Sequence, residues 1–345
     1  MLRLAFATVL TVLACAAPAG AEYKALWGPL TMPDGSSAFP VYRDLGVEML
    51  EQQLSWRAVA TSRPARPRDP GDPAYRWPAS LDELMAGAAG SGIRVALMVK
   101  YTPAWAGGGS SGAGVPRRVQ DYADFLVAAA RRYPRVRHWM IWGEPTRAGS
   151  FVPMPSGKAK GPRAYARLLD TAYVALKDHR RSNIVIGGMT WTLGKVTPKD
   201  FLRWMRLPNG RRPRLDWYGH NPFSTRVPDL AQSPYYPGLR DFSDTDTLIR
   251  EVRRAYPRRR PRLWLSEFTV PSDHASWAFS FFVTAEQQAE WVAAAYRIAH
   301  QSRWIAGVGW WTLLDAPPAS DSLTNGLMTS TGQQKPAYQA YKRAP

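Results

Sequence analysis

The sequence predicts an α/β fold, a single (β/α)8 (TIM) barrel, and three observations carry that prediction. From Lys24 onward, eight short apolar segments alternate with amphipathic helical stretches. Several of these segments are near-continuous apolar runs, as parallel strands buried on both faces require. The connections are also lopsided. Helix-to-strand returns are short (134–137, 180–182, 257–262, 302–304), whereas strand-to-helix loops are long (61–75, 101–118, 145–162, 221–244, 268–283, 312–335). In a barrel every strand-to-helix loop emerges on one face, and functional groups gather there. A doubly wound open sheet would alternate in the same way, but it usually carries a Gly-rich turn after its first strand. Gly28-Pro29-Leu30 offers no such turn.

In chain order the expected strands are 25–28, 47–54, 93–100, 138–144, 183–188, 215–220, 263–267 and 305–311. The helical stretches between them show the 3.6-residue period. Val119, Tyr122, Ala123, Leu126, Ala130 and Tyr133 trace one stripe, and Tyr165, Leu168, Leu169, Ala172, Tyr173 and Leu176 another. Trp291, Val292, Ala295, Ile298 and Ala299 trace a third, with Thr284 and Gln287 at capping-box spacing before it. Such stripes are core faces packing on a sheet. No internal repeat or linker marks a second domain, so residues 22–345 are read as one.

Residues 1–21 read as a secretory leader. Arg3 is followed by an apolar run too short to span a bilayer, and Ala19-Gly20-Ala21 is a small-x-small cleavage site. The expectation is a secreted, extracellular protein starting at Glu22. Val12-Leu13-Ala14-Cys15 offers the alternative of a lipid anchor on Cys15. That cysteine is the only one, so the mature chain is left without a disulfide, a thiol nucleophile or a cysteine metal site.

The net charge is +18 over 345 residues. It reflects either attraction to an anionic polymer or an arginine-rich composition spread over solvated helix faces, and the second reading is favoured. Nucleic acid is not expected as a partner: Arg258-Arg259-Arg260 sits in a short turn, and no nucleic-acid motif accompanies it. His138, His179, His220, His274 and His300 show no metal spacing, so neither a metal nor a cofactor is expected.

Two segments carry chemistry. In Trp139-Met140-Ile141-Trp142-Gly143-Glu144-Pro145 and in Leu263-Trp264-Leu265-Ser266-Glu267-Phe268, an apolar strand ends in a carboxylate at the mouth of a long loop. By position these are the fourth and seventh strands. Two glutamates facing one cleft suit general acid/base and nucleophilic work on a glycosidic bond. Either one alone would more often pair with an arginine at the rim.

Trp142-Gly143-Glu144-Pro145 resembles the W-N-E-P motif of the clan of retaining glycoside hydrolases whose catalytic glutamates lie on strands four and seven. Residues 264–268 resemble that clan's nucleophile strand, residues 216–223 its sixth strand, and Trp310-Trp311 its eighth. The segments around Trp56, Trp77 and Trp105 are similar to glycoside hydrolase family 39 and its cellulase-like relatives. The resemblance implies a secreted β-glycosidase acting as a monomer on an oligo- or polysaccharide, which the charge allows to be anionic. It implies that Glu144 is the acid/base, with a raised pKa, and that Glu267 is the nucleophile, with an ordinary or lowered one. Substrate-binding residues expected beside them are Gln53, Trp105, Trp142, His220, Asn221, Trp310 and Trp311; of the last two, adjacent on a strand, one must point inward. The chain departs from the motif at Gly143, where the clan has an asparagine that binds the sugar 2-hydroxyl. It departs again on strand two, where Glu51 stands nearest to the usual arginine. Gln53 and Asn221 are the candidate replacements for the missing amide. The competing reading is a non-catalytic polysaccharide- or cell-wall-binding barrel, in which the space beside Gly143 would be empty or apolar.

Overall fold

The computed structural model describes residues 22–345 except Ser233, Tyr235 and Ser320, so the expected leader and Cys15 lie outside the described residues. Strands β1 (Tyr23–Trp27), β2 (Met49–Ser55), β3 (Arg94–Lys100), β4 (His138–Ile141), β5 (Ile184–Trp191), β6 (Trp217–Asn221), β7 (Arg262–Phe268) and β8 (Ile305–Trp311) close into one barrel in chain order. All neighbouring pairs are parallel. Around them run α1 (Phe39–Asp44), α2 (Trp56–Val59), α3 (Ala79–Gly90), α4 (Val119–Arg132), α5 (Lys160–His179), α6 (Pro198–Trp204), α7 (Thr245–Ala255), α8 (Ala285–His300) and α9 (Pro336–Arg343). The fold is the predicted (β/α)8 barrel. No helix among the described residues is long and apolar enough to cross a membrane.

The helices form where the periodicity places them. The α4 and α5 stripes are buried almost throughout, and α8 opens on the expected capping box between Thr284 and Gln287. Two strands end three residues from where they are predicted to, the rest within one. β4 stops at Ile141 because Trp142 and Glu144 take left-handed backbone, with φ of 68° and 46°. β5 runs on to Trp191 because an irregularity between Gly187 and Thr190, with Gly188 at φ 95°, absorbs the break that Gly187-Gly188 suggests.

Alternation along the strands sorts side chains between two cores. Outward residues such as Leu50, Leu97, Tyr218, Leu265 and Val308 pack under the helices. Inward residues fill the barrel itself: Ala25, Met49, Ala96, Met98, Met140, Ile186, Met189, Trp264 and Ala306. The end of the barrel where the strands begin is closed by aromatic rings. Trp217 stacks on Trp264 at 5.7 Å, Tyr23 meets His138 edge-on at 5.4 Å, and His138 lies 5.2 Å from Trp217.

One inward residue enclosed within the barrel is an acid. Glu51 is fully buried on β2, where it accepts hydrogen bonds from Trp264 Nε1 at 3.1 Å and Ser266 Oγ at 2.7 Å. Its Oε1 has no partner and lies where a side chain at Gly309 would have to be; a Cβ built there falls 1.9 Å from it. Burial pushes its pKa well up, and the neighbouring Glu267 adds to that.

Candidate active site

The strand ends opposite the aromatic seal open into a cleft of about 590 Å3 that contains both Glu144 and Glu267. Glu144 stands just beyond β4 on a turn held by its own neighbours. Ser150 Oγ donates to the Gly143 carbonyl at 2.7 Å, the Trp142 indole donates to the Ser150 carbonyl at 2.8 Å, and the Arg147 amide donates to the Glu144 carbonyl at 2.9 Å. Left-handed backbone at two non-glycine residues is costly, and this network keeps it in place. Glu267 is the penultimate residue of β7, where the β7–β8 register shifts between Leu265 and Phe268.

The two carboxyl groups share a neighbour. Asn221, at the end of β6, donates from Nδ2 to Glu144 Oε1 at 3.1 Å and lies close enough to Glu267 to favour its ionised form. Arg147 donates to the other Glu144 oxygen at 3.2 Å while its guanidinium lies 5.6 Å from the centre of the Trp191 ring. Burial first, and the Glu144 charge second, push the Glu267 pKa up to about 8; Lys100, Arg147 and Asn221 oppose the rise. This is opposite to the expectation that Glu267 would titrate at or below its ordinary value. The reason is its position at the cleft floor, packed by protein and facing a like charge.

Gln53, Asn221 and Trp311 belong with the pair: Gln53 and Trp311 line the cleft, and Asn221 donates to Glu144. Four residues expected as substrate contacts lie elsewhere. Trp142 turns outward because its positive φ breaks the strand alternation, and it packs on Phe151 at 5.2 Å and Tyr122 at 6.3 Å. Trp310 is the outward member of its pair. It meets Phe268 edge-on at 5.8 Å and donates to the Asn325 carbonyl. His220 is buried outside the barrel between Thr190 Oγ1 and the Arg240 carbonyl, each 2.7 Å away, and burial lowers its pKa to about 4. Trp105 stands edge-on to Trp56 at 5.6 Å and donates to the Ala60 carbonyl, beneath the Arg63 guanidinium.

The cleft also holds residues outside the expected set, including Trp27, Lys100, Arg147, Trp191, Phe279 and Phe281. For Trp27, Lys100 and Trp191 a signal was available, since each is the last residue of its strand. Arg147 and the two phenylalanines come from loops, where sequence period says nothing about direction. Beside Gly143 the space is apolar: a Cβ there would fall 2.3 Å from Met98 Sδ.

The chain shares the fold of family 39 glycoside hydrolases. Similar solved structures include a family 39 glycoside hydrolase from the gut symbiont Bacteroides cellulosilyticus WH2, at 20% identity and TM-score 0.67, covering 92% of this chain and 62% of that one. A glucosidase from Croceicoccus marinus follows at 17% identity and TM-score 0.65, covering 94% and 67%. A family 39 enzyme from Xanthomonas axonopodis pv. citri is similar at 17% identity and TM-score 0.63, covering 92% and 64%. The chain thus spans about two-thirds or less of the length of these structures. No family model matches the sequence, and no curated protein matches it.

Proposed function

We propose that this chain is a glycoside hydrolase that cleaves β-glycosidic bonds with retention, acting outside the cell after loss of residues 1–21. The observation that carries the reading is the carboxyl pair, Glu144 and Glu267, lining one cleft at the strand-end mouth of a (β/α)8 barrel. Glu144 protonates the leaving oxygen while Glu267 attacks the anomeric carbon. Glu144 then takes a proton from the water that releases the glycosyl group.

The raised Glu267 pKa fits this chemistry once the two groups are treated as one titrating unit. Two adjacent carboxylates resist full ionisation, so the pair holds one proton up to about pH 8. Double displacement needs that singly protonated form, with the proton on Glu144 and the charge on Glu267 when attack begins. The empty cleft favours the other placement, and a bound glycan that hydrogen-bonds Glu144 through its leaving oxygen reverses it. Activity is therefore expected to fall as pH rises through about 8, where the pair loses its last proton.

One observation favours the second reading, a non-catalytic glycan-binding barrel. The thioether of Met98 fills the place where an amide on residue 143 would reach a sugar. Turnover of a panel of aryl β-glycosides and β-glucans, with the first-formed anomer read by NMR, decides between the two. Hydrolysis with retention that is lost in Glu267→Ala supports the enzyme. Binding that survives Glu267→Ala, with no hydrolysis by the unaltered protein, supports the binding barrel. N-terminal sequencing of the protein from culture medium tests the secretion.

A further inference from the structure

The charges lining the cleft are unusual for a site that takes only neutral sugars. Among the described residues lining it, four are charged by type: Glu144, Glu267, Lys100 and Arg147. Two cations therefore stand in the cleft with the carboxyl pair, and burial together with the Glu144 charge pushes the Glu267 pKa up to about 8, so the negative charge facing them is reduced below that pH. Arg147 is committed to Glu144 through one nitrogen, and the rest of its fork is about half exposed toward the opening. Lys100 has no carboxylate partner within ion-pair distance among the described residues. Its ammonium rests over the Tyr101 ring at 4.7 Å and faces the same space as Glu267. A neutral hydroxyl gains little from an ammonium that an amide would not supply, whereas an oxyanion gains a charge-assisted bond.

We propose that Lys100, with the free edge of Arg147, forms an oxyanion subsite, and that the cleft takes a glycan bearing a carboxylate or sulfate on the sugar at or next to the scissile bond. Trp27, Trp191 and Trp311 line the same cleft. The net charge of +18 acts in the same direction at long range, raising the local concentration of a polyanionic chain. The proposal rests on the glycosidase reading for the word scissile, but the subsite itself is a matter of binding.

The test is therefore a binding measurement on a form that does not turn over. Glu267→Gln in the full chain keeps a neutral group of the same shape. Its affinity is measured calorimetrically for oligosaccharides of equal length in three series: uronate, sulfated and neutral. One anionic series is expected to bind about tenfold or more tighter than the neutral one, with the margin shrinking as salt rises. Which anionic series wins identifies the oxyanion. Adding Lys100→Met should erase the margin by lowering anionic affinity far more than neutral affinity, while Lys100→Arg should retain most of it. Equal affinity for neutral and anionic series overturns the proposal. So does a Lys100→Met effect of equal size on both, since a lysine that served only to steady Glu267 would not discriminate. If anionic binding is found but the unaltered protein cleaves nothing, the glycosidase reading fails and the subsite stands.

Discussion

The two ends of this barrel are built from the same eight strands and could hardly differ more. Where the strands begin, Tyr23, His138, Trp217 and Trp264 interlock into an aromatic seal. Where they finish, the inward positions carry Trp27, Gln53, Lys100, Asn221 and Trp311, and the interior opens into a cleft. Two glutamates mark the gradient between them. Glu51 lies one layer down, enclosed, with one oxygen unpartnered, and Glu267 lies at the cleft floor beside Glu144. Burial raises both pKa values, but only Glu267 lines a space in which to meet a substrate. The comparison teaches that a perturbed carboxyl becomes chemistry through access, and that burial alone makes it structure.

The sharpest way to break this comparison is Glu267→Gln. It is expected to remove turnover entirely while glycan binding survives, as loss of a nucleophile requires. A variant with near-normal turnover would refute the assignment. Glu144→Gln should follow, with activity down by about 10²–10⁴-fold for natural leaving groups. The fall in rate through about pH 8 should also vanish in that variant, because the general acid whose proton loss it reports is gone. An unchanged basic limb in a still-active Glu144→Gln protein would mean that the pair is not what titrates.

At the sealed end the expected effects are on stability. Trp264→Ala removes a fully buried ring from the plug and a donor from Glu51, and should cost about 3–5 kcal/mol in denaturant unfolding. Provided the protein is folded at the assay temperature, KM should not change. A shifted KM would mean that the two ends are coupled. The smallest effect concerns pH. His138 is held neutral, with its pKa lowered to about 4 by burial and then by Arg94. His220 is lowered to about 4 as well. Their folded values lie below the ordinary 6.5, so the unfolded chain takes up protons first as pH falls. The stability they confer is complete above about pH 6.5 and is lost between there and about pH 4, with a slope from these two groups approaching two protons. Urea midpoints across this range should show a smaller loss in His138→Gln. The same loss in both proteins would show that His138 is not held neutral.

Much of the site was legible because strand ends are legible. An apolar run closing in a glutamate, twice, at the fourth and seventh positions of an alternating chain leaves little freedom in where those groups go. Asn221 follows from its place just past the sixth predicted strand, and Trp311 from the requirement that one of two adjacent tryptophans face inward. Trp142 was not legible, because simple alternation after the outward Ile141 sends it into the barrel. A left-handed backbone angle, invisible in composition, turns it out. His220 and Trp105 were misread for a related reason: a polar or aromatic residue near a strand end serves equally well as a satisfied core group.

The sequence by itself determined the barrel, its eight strands in order, the face that carries the long loops and the two carboxylates at its mouth. These follow from local period and chain order, which do not depend on distant contacts. Only the tertiary structure decided that Glu267 is the group pushed up in pKa, that Met98 fills the space beside Gly143, and that Lys100 and Arg147 stand in the cleft. Each of these depends on residues from different strands meeting across the barrel. Desolvation, Coulomb interaction and steric exclusion are set by distances in space, and spacing along the chain does not encode them.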